Sequence, residues 1–186
     1  MLLQIKNMVC DRCIMVVKNE LEKLGYMANH IVLGEATINE VLNDQEKAII
    51  ENNLKEFGFE LIDDKNSSLI EKVKNLIIDL VHNHDNELKI NLSEYLESNI
   101  HKDYTYLSNL FSESQGITIE KYYIRQKIER VKELIVYDEL TLSEISFNLG
   151  YSSVAYLSSQ FKKITGLTPG HFKKIKSIKR KSLDEL

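Results

Sequence analysis

Two cysteines stand near the start of the chain, and their spacing is the clearest sign of chemistry in it. Cys10 and Cys13 form a C-x-x-C pair, in a stretch whose pattern predicts a loop running into a helix. Sulfurs placed there lie near unpaired backbone N–H groups and the positive end of a helix dipole, which favours thiolates. Thiolates bind soft metal ions such as Cu(I), and also Zn(II). Because the chain has only 2 cysteines, we expect metal or redox chemistry in a reducing compartment rather than a disulfide scaffold.

A second group of candidate residues lies on short helices predicted near the C-terminus. Thr141 with Glu144 three residues later forms a capping box, and Gly150 supplies the left-handed residue that ends a helix. A second helix follows the turn, and a third begins with Thr168 as its cap and Pro169 as its first residue. Two short helices joined by a glycine turn, with polar side chains on the second, are typical of a helix-turn-helix that enters the major groove.

The elements that position the cysteines follow the order β-α-β-β-α-β over residues 1–65. Alternating and helical apolar patterns predict strands at its two ends, a strand pair around Gly34, and two helices, the second capped by Asn43 with Glu46. This order is the ferredoxin-like arrangement. Residues 66–186 read as helix throughout, including a long connecting helix over 118–137. We therefore predict an α+β domain over 1–65, a junction at 63–67, and an all-α domain over 66–186 with two helix-turn-helix units.

The helical half resembles the AraC family of bacterial transcription regulators. The resemblance covers about 67–178 and rests on residues of both units, listed here for the downstream unit as Ile145, Gly150, Tyr151, Tyr156, Leu157, Phe161, Gly166, Pro169 and Phe172. Upstream it rests on residues 107–111 followed by Gly116. It implies a sequence-specific, double-stranded DNA-binding regulator that contacts RNA polymerase and works in the cytoplasm as a monomer or homodimer.

Carried over position by position, this resemblance implies which side chains meet DNA. The upstream helix would present Thr105, Ser108, Asn109 and Ser112 to base edges, and the downstream helix Val154, Ala155, Ser158 and Ser159. Lys162, Lys163 and Lys173 would contact phosphates. The family often has Arg where Asn109 and Ser159 stand, so we expect sites rich in A·T pairs. Because acidic residues flank the upstream helix, we expect that unit to contribute less than the downstream one.

The N-terminal part resembles the heavy-metal-associated domain of copper chaperones and metal-pumping ATPases. Its Met-x-Cys-x-x-Cys signature is matched by Met8, Cys10 and Cys13, and Phe59 follows Gly58 as in that family. The resemblance covers about residues 2–62 and implies a bound Cu(I) or Zn(II). Asn7 departs from it, since the family usually has Gly there. Two other interpretations of the cysteine pair remain open: a redox switch, and thiols that are idle in a domain used for protein contact.

Charge and composition limit the classes of function. The first 66 residues hold 7 Lys and Arg against 12 Asp and Glu, whereas the remainder holds 17 against 16, with a basic run over 162–181. A basic segment behind a helix-turn-helix is suited to tracking phosphates. No apolar run approaches the roughly 18 residues needed to span a bilayer, so we expect no membrane partner. No motif of an enzyme is apparent, and the alternative function is a metal-trafficking chaperone whose helical domain docks a protein partner.

Overall fold

The computed structural model describes residues 1–62, 64–82 and 91–175. Strands and helices follow one another as β1 (Leu2–Lys6), α1 (Asp11–Lys23), β2 (Ala28–Val32), β3 (Glu35–Ile38), α2 (Asp44–Lys55), β4 (Glu60–Leu61), α3 (Lys65–His82), α4 (Leu92–Ile100), α5 (Tyr104–Gln115), α6 (Ile119–Tyr137), α7 (Leu142–Asn148), α8 (Val154–Thr165) and α9 (Pro169–Lys174). They form two compact units, Met1–Asn75 and Leu76–Leu186. No helix within the described ranges has both the length and the apolar character to cross a membrane.

The first unit is built on a small antiparallel sheet. Its four strands lie in the order β2-β3-β1-β4, with Leu3 opposite Ala36 and Ile5 opposite Leu61. Helices α1 and α2 pack against each other and contribute fully buried residues such as Leu21 and Leu54 to the core of this unit. The N-terminal sheet that the alternating pattern predicts is therefore present.

Local capping sets where α2 begins, as its sequence predicts. The backbone N–H of Glu46 donates to the side-chain oxygen of Asn43 at 2.9 Å, and the backbone N–H of Asn43 donates to the Glu46 carboxylate at 2.8 Å. Two backbone donors at the start of the helix are thereby satisfied.

Two methionines, Met15 and Met27, are exposed, although their apolar side chains predict burial in the core. Met15 is 62% exposed and Met27 is 70% exposed. The buried stripe of α1 runs through Val17 and Leu21 at helical spacing, and Met15 lies off that stripe. Met27 precedes β2, outside any helix or strand. Side-chain type alone therefore misplaced both residues.

Helix α3 begins at Lys65, three residues before the start at Ser68 that the Ser68 and Glu71 spacing predicts. The Asp64 carboxylate accepts a hydrogen bond from the backbone N–H of Ser67 at 2.8 Å, and this bond is the main cause that lowers the pKa of Asp64. The helix runs without interruption from Lys65 to His82. The boundary between the compact units falls inside it, between Asn75 and Leu76, whereas Asp63 in the predicted junction lies outside the described residues.

The second unit is organised around α6, which α5, α7, α8 and α9 all contact. Ile128 and Val131 of α6 pack in one core with Leu157 and Phe161 of α8 and Phe172 of α9. Thr141 and Glu144 form the predicted capping box at α7. The helical part and its two helix-turn-helix units thus agree with the sequence pattern.

The two units of the helix-turn-helix pair repeat each other at an offset of fifty residues. Each recognition helix, α5 or α8, spans 12 residues and ends at a left-handed glycine, Gly116 or Gly166. Behind each, a pair of aromatic rings packs with centroids 5.5 Å apart: Phe111 with Tyr122, and Phe161 with Phe172. The repeat shows that both helix-turn-helix units pack their recognition helix in the same way. Differences between their surfaces therefore do not arise from a difference in fold.

Candidate DNA-binding surface and thiol pair

The downstream recognition helix α8 buries one stripe and turns the predicted base-reading residues the other way. Leu157 and Phe161 are fully buried. On the opposite side Ala155 and Ser159 are exposed, and Val154 and Ser158 are half-buried. The hydroxyl of Ser153 accepts from the backbone N–H of Tyr156 at 3.1 Å and so fixes the first turn of the helix. Ala155 and Ser159 are therefore open to solvent, and Val154 and Ser158 lie between them and the buried stripe.

Helix α5 shows the same division between its two sides. Leu107 and Phe111 are buried, whereas Thr105 and Asn109 are exposed. The other two predicted base-reading residues of this helix, Ser108 and Ser112, are half-buried beside them. Asp103 caps the helix by accepting from the backbone N–H of Tyr106 at 3.1 Å.

Acidic side chains near α5 are engaged in holding it in place. The Glu97 carboxylate accepts from the backbone N–H of Tyr104 at 2.6 Å, and the Tyr104 hydroxyl donates to Glu120 of α6. Burial, followed by the Glu120 carboxylate, raises the pKa of Tyr104. Glu97 thus satisfies a backbone N–H of the first turn and Glu120 accepts the Tyr104 hydroxyl. The charge of both carboxylates disfavours a nearby phosphate.

The predicted phosphate-contacting lysines differ in their surroundings. Lys162 and Lys163 are exposed in the last turn of α8, where a cation also complements the helix dipole. Lys173 of α9 is exposed too, but its ammonium donates to the carboxylate of Asp138, the residue that follows α6. The basic residues Lys176, Lys179, Arg180 and Lys181 lie outside the described residues.

Two tyrosines on the exposed sides of α5 and α8 were not among the predicted DNA-contacting residues. Tyr106 of α5 and Tyr156 of α8 are both about half-exposed, and they occupy equivalent positions in the repeat. The Tyr156 hydroxyl accepts from the Gln160 side chain at 2.8 Å. The fifty-residue offset, read from the sequence, was the signal that could have paired them.

The two cysteines lie where the C-x-x-C pattern predicts, at the start of α1. Cys10 is the residue that precedes the helix, and Cys13 is in its first turn. Their sulfurs are 3.4 Å apart, well beyond the roughly 2.05 Å of a disulfide bond, and both residues are partly exposed. Met8 is fully buried below them, in the core that also contains Phe59.

The expectation of a thiolate-favouring environment is wrong for Cys13. Burial is the largest influence on this thiol and raises the pKa of Cys13, while a hydrogen bond from the backbone of Val9 acts in the opposite direction. Desolvation disfavours a charged thiolate more than the first turn of the helix favours it. Without a metal ion, the thiol form of Cys13 is therefore favoured.

Asn7 accommodates the departure from the glycine of the heavy-metal-associated signature. Its φ of 70° lies in the left-handed region, which asparagine adopts more readily than most residues. Its side-chain amide donates to the carbonyl of Gly58 at 2.8 Å. This bond ties the cysteine loop to the turn before β4.

The donor set at the cysteines suits one kind of ion better than another. Within residues 1–62, 64–82 and 91–175, no group of three or more His, Cys, Asp and Glu residues could hold a metal ion. Two soft sulfur donors match the preference of Cu(I), whereas Zn(II) in structural sites takes four ligands. The pair alone therefore fits a soft ion of low coordination number.

Comparison with known proteins assigns the helical part. The family described as "Helix-turn-helix domain" matches residues 98–175. The chain is 32% identical over 110 residues to the uncharacterized transcriptional regulatory protein YesN of Bacillus subtilis, covering 58% of this chain and 29% of that one. It is 27% identical over 129 residues to the uncharacterized HTH-type transcriptional regulator YtdP of the same organism, covering 68% of this chain and 17% of that one. The chain thus spans less than a third of the length of either relative.

A solved structure shares the fold of this part. The C-terminal domain of AraT, a response regulator from Geobacillus stearothermophilus, superposes with a TM-score of 0.52 at 21% identity, covering 64% of this chain and 94% of that one. Residues 98–175 thus match the helix-turn-helix domain family, and the helical part has the fold of that solved domain.

Proposed function

We propose that this protein is a sequence-specific DNA-binding transcription regulator that reads double-stranded DNA chiefly through α8. The observation that carries the proposal is the exposed side of α8, where Ala155 and Ser159 face solvent and Val154 and Ser158 are half-buried beside them, with Lys162 and Lys163 in the last turn of the same helix. Small side chains there allow close approach to base edges and thymine methyl groups, and the lysines supply attraction to phosphate. RNA polymerase is the second partner we expect, in the cytoplasm where the DNA lies.

Selection of DNA from a random pool tests this function directly. We expect the purified chain to enrich duplexes with a shared, A·T-rich sequence. Ser159→Asp should remove the preference and weaken binding about 100-fold or more, because it places a carboxylate against the groove. Ser143→Asp adds the same charge at an exposed position of α7 and serves as the matched control. Failure of the wild-type protein to enrich any sequence would end the proposal.

We further propose that the N-terminal unit has a ferredoxin-like fold and senses Cu(I) through Cys10 and Cys13. Support comes from the strand order β2-β3-β1-β4, which suits this fold, and from the sulfurs 3.4 Å apart. The two sulfurs would hold the ion, which would supply a charge and a cross-link between the loop and the first turn of α1. No other ligand within the described residues is required for such a two-sulfur site.

Helix α3 offers a route by which the signal could travel. The Lys72 ammonium pairs with the Glu35 carboxylate at 2.7 Å, and the side-chain amide of Asn75 lies so close to Gly34 that a Cβ there would stand 2.2 Å from it. The first turns of α3 are therefore held against the β2–β3 turn. Its last turns belong to the second compact unit, and we propose α3 as the segment whose contacts with the sheet respond to the metal.

Metal titration followed by DNA-shift assays tests the sensor. We expect the reduced protein to compete for Cu(I) with a chromogenic chelator, with Zn(II) run in parallel, and Cys10→Ser/Cys13→Ser to lose that competition. Cu(I) should then change DNA affinity of the wild type by roughly 5- to 150-fold, the usual range of coupling between sites, and leave the double variant unchanged. Equal metal effects on both proteins would refute sensing, and an effect of oxidant alone would assign the pair to a redox switch.

A further inference from the structure

A buried lysine lies behind the downstream recognition helix. Lys127 of α6 is 7% exposed, and its ammonium nitrogen lies 4.0 Å from the ring centroid of Tyr151 and 5.4 Å from that of Tyr123. Within the described residues it has no carboxylate partner. A cation removed from water is costly unless it is compensated, and here the two aromatic faces supply the compensation.

Tyr151 connects this lysine to the DNA-reading helix. It stands in the turn between α7 and α8, where its backbone N–H donates to the carbonyl of Ser146 at 2.9 Å. Its ring meets the ring of Tyr156 edge-on, with centroids 6.1 Å apart. Ser153, the cap of α8, lies two residues beyond it. The position of the Tyr151 ring therefore influences where the first turn of α8, with Val154 and Ala155, is held.

Among the described residues, the upstream helix-turn-helix unit has no counterpart of this arrangement. His101 occupies the position equivalent to Tyr151 at the fifty-residue offset, and it is exposed, with a left-handed backbone at φ 56°. Both helix-turn-helix units share an aromatic pair and a recognition helix of 12 residues, so the shared fold alone does not require the lysine. Because this buried cation lies behind only one of the two recognition helices, it indicates a role specific to α8.

We propose that Lys127 is a positioning residue for DNA recognition: its cation–π contact with Tyr151 sets the placement of the α8 N-terminus against base edges, without touching DNA itself. The inference rests on the proposed function. Because the amine is buried in the core side of the unit, it acts on base readout through Tyr151 and Tyr156 and leaves the phosphate contacts to Lys162 and Lys163.

The test compares affinity for a selected duplex with affinity for a scrambled duplex of the same composition, at several salt concentrations. Lys127→Met keeps the length of the side chain and removes its charge. We expect it to bind the selected duplex roughly 5- to 30-fold more weakly, to bind the scrambled duplex as the wild type does, and to keep the slope of log K against log[salt]. Lys127→Arg, which retains a cation that stacks on aromatic rings, should restore most of the selectivity.

Controls separate positioning from charge and from folding. Lys121→Met removes the same charge from an exposed position of α6 and should leave selectivity unchanged. Tyr151→Phe keeps the aromatic face and should behave as the wild type, whereas Tyr151→Leu should reproduce the loss. Helical circular dichroism and unfolding midpoints are recorded for every variant. Should Lys127→Met fail to fold, the Tyr151 pair and Lys127→Arg decide the question.

Three outcomes would overturn the inference. The first is full selectivity in a folded Lys127→Met variant. The second is an equal loss of affinity of that variant for both duplexes, with the slope of log K against log[salt] reduced by about one, as for a direct phosphate contact. The third is a Lys127→Arg variant as impaired as Lys127→Met. If the wild type selects no duplex, the proposed function fails instead. The contact itself is then judged by NMR of ¹³C-labelled lysine, where ring currents should shift the Lys127 signals in wild type and Tyr151→Phe but not in Tyr151→Leu.

Discussion

The two helix-turn-helix units share one fold and differ in what they show to solvent. The upstream recognition helix α5 carries Glu113 and no basic residue, and its first turn is held by Asp103, Glu97 and Glu120. The downstream helix α8 carries Lys162 and Lys163 and is capped by the uncharged Ser153. The same packing thus supports two surfaces of opposite charge. A shared fold therefore does not show how much each helix-turn-helix unit contributes to DNA binding.

Removing a buried phenylalanine ring should destabilise the two helix-turn-helix units to a similar degree. Phe111 and Phe161 are each fully buried, and truncation of a buried phenylalanine to alanine costs about 3–5 kcal/mol. We expect Phe111→Ala and Phe161→Ala to lower the free energy of unfolding, measured by urea denaturation, by similar amounts. Phe147→Ala, at an 85% exposed position of α7, should change it by less than about 0.5 kcal/mol. A much smaller loss for one core variant would break the equivalence of the two units.

Changing the charges on α8 and α5 should reveal the difference between their two surfaces. Lys162→Gln/Lys163→Gln should reduce the magnitude of the slope of log K against log[salt] by up to about 1.8, since each phosphate contact contributes roughly 0.9. Glu113→Lys, at the position equivalent to Lys163, should strengthen DNA binding if α5 also lies near phosphates. Lys18→Gln on α1 serves as a control remote in sequence. An unchanged slope in the double variant would remove the lysines from the DNA interface.

The stability of the downstream unit should depend on pH in a way that a Lys127→Met variant does not. Burial lowers the pKa of Lys127 to about 8, below the roughly 10.4 of an unfolded lysine. Between these values the unfolded chain binds more protons, so stability rises with pH through this window. We expect the midpoint of urea unfolding to rise from pH 7.5 to 9.5 in wild type relative to Lys127→Met. Parallel pH profiles would show that the amine is not buried in solution.

Equivalent helix caps should show the smallest effects. The hydroxyls of Thr118 and Thr168 each accept from the backbone N–H three residues on, at 3.3 Å, at the starts of α6 and α9. Loss of such a cap typically costs about 1 kcal/mol. We expect Thr118→Ala to destabilise more than Thr168→Ala in thermal unfolding, because α6 contacts four helices, α5, α7, α8 and α9, whereas α9 contacts α6 and α8. The reverse order would mean that α9 anchors the domain more strongly than its length indicates.

Local chemistry made most of the helical half predictable. The capping box of Thr141 with Glu144, the glycine at 150 and the Thr168-Pro169 start act over three or four residues, and all are found where the sequence places them. The outward face of α8 follows from helical periodicity once its ends are known. The same reasoning predicted the Asn43–Glu46 cap of α2 and the cysteines at the start of α1.

Long-range packing decided what local patterns missed. The aromatic rings around Lys127, the ion pair of Lys173 with Asp138, and the exposure of Met15 depend on residues distant in the chain. The raised pKa of Cys13 has the same origin, because desolvation is set by everything that surrounds a thiol and not by its two neighbours. The sequence by itself therefore determined the helix ends, the exposed side of α8 and the paired thiols, since these rest on contacts within a few residues. Tertiary structure alone decided which charges are buried, paired or free to meet a phosphate, because burial and electrostatic interaction act across the whole fold.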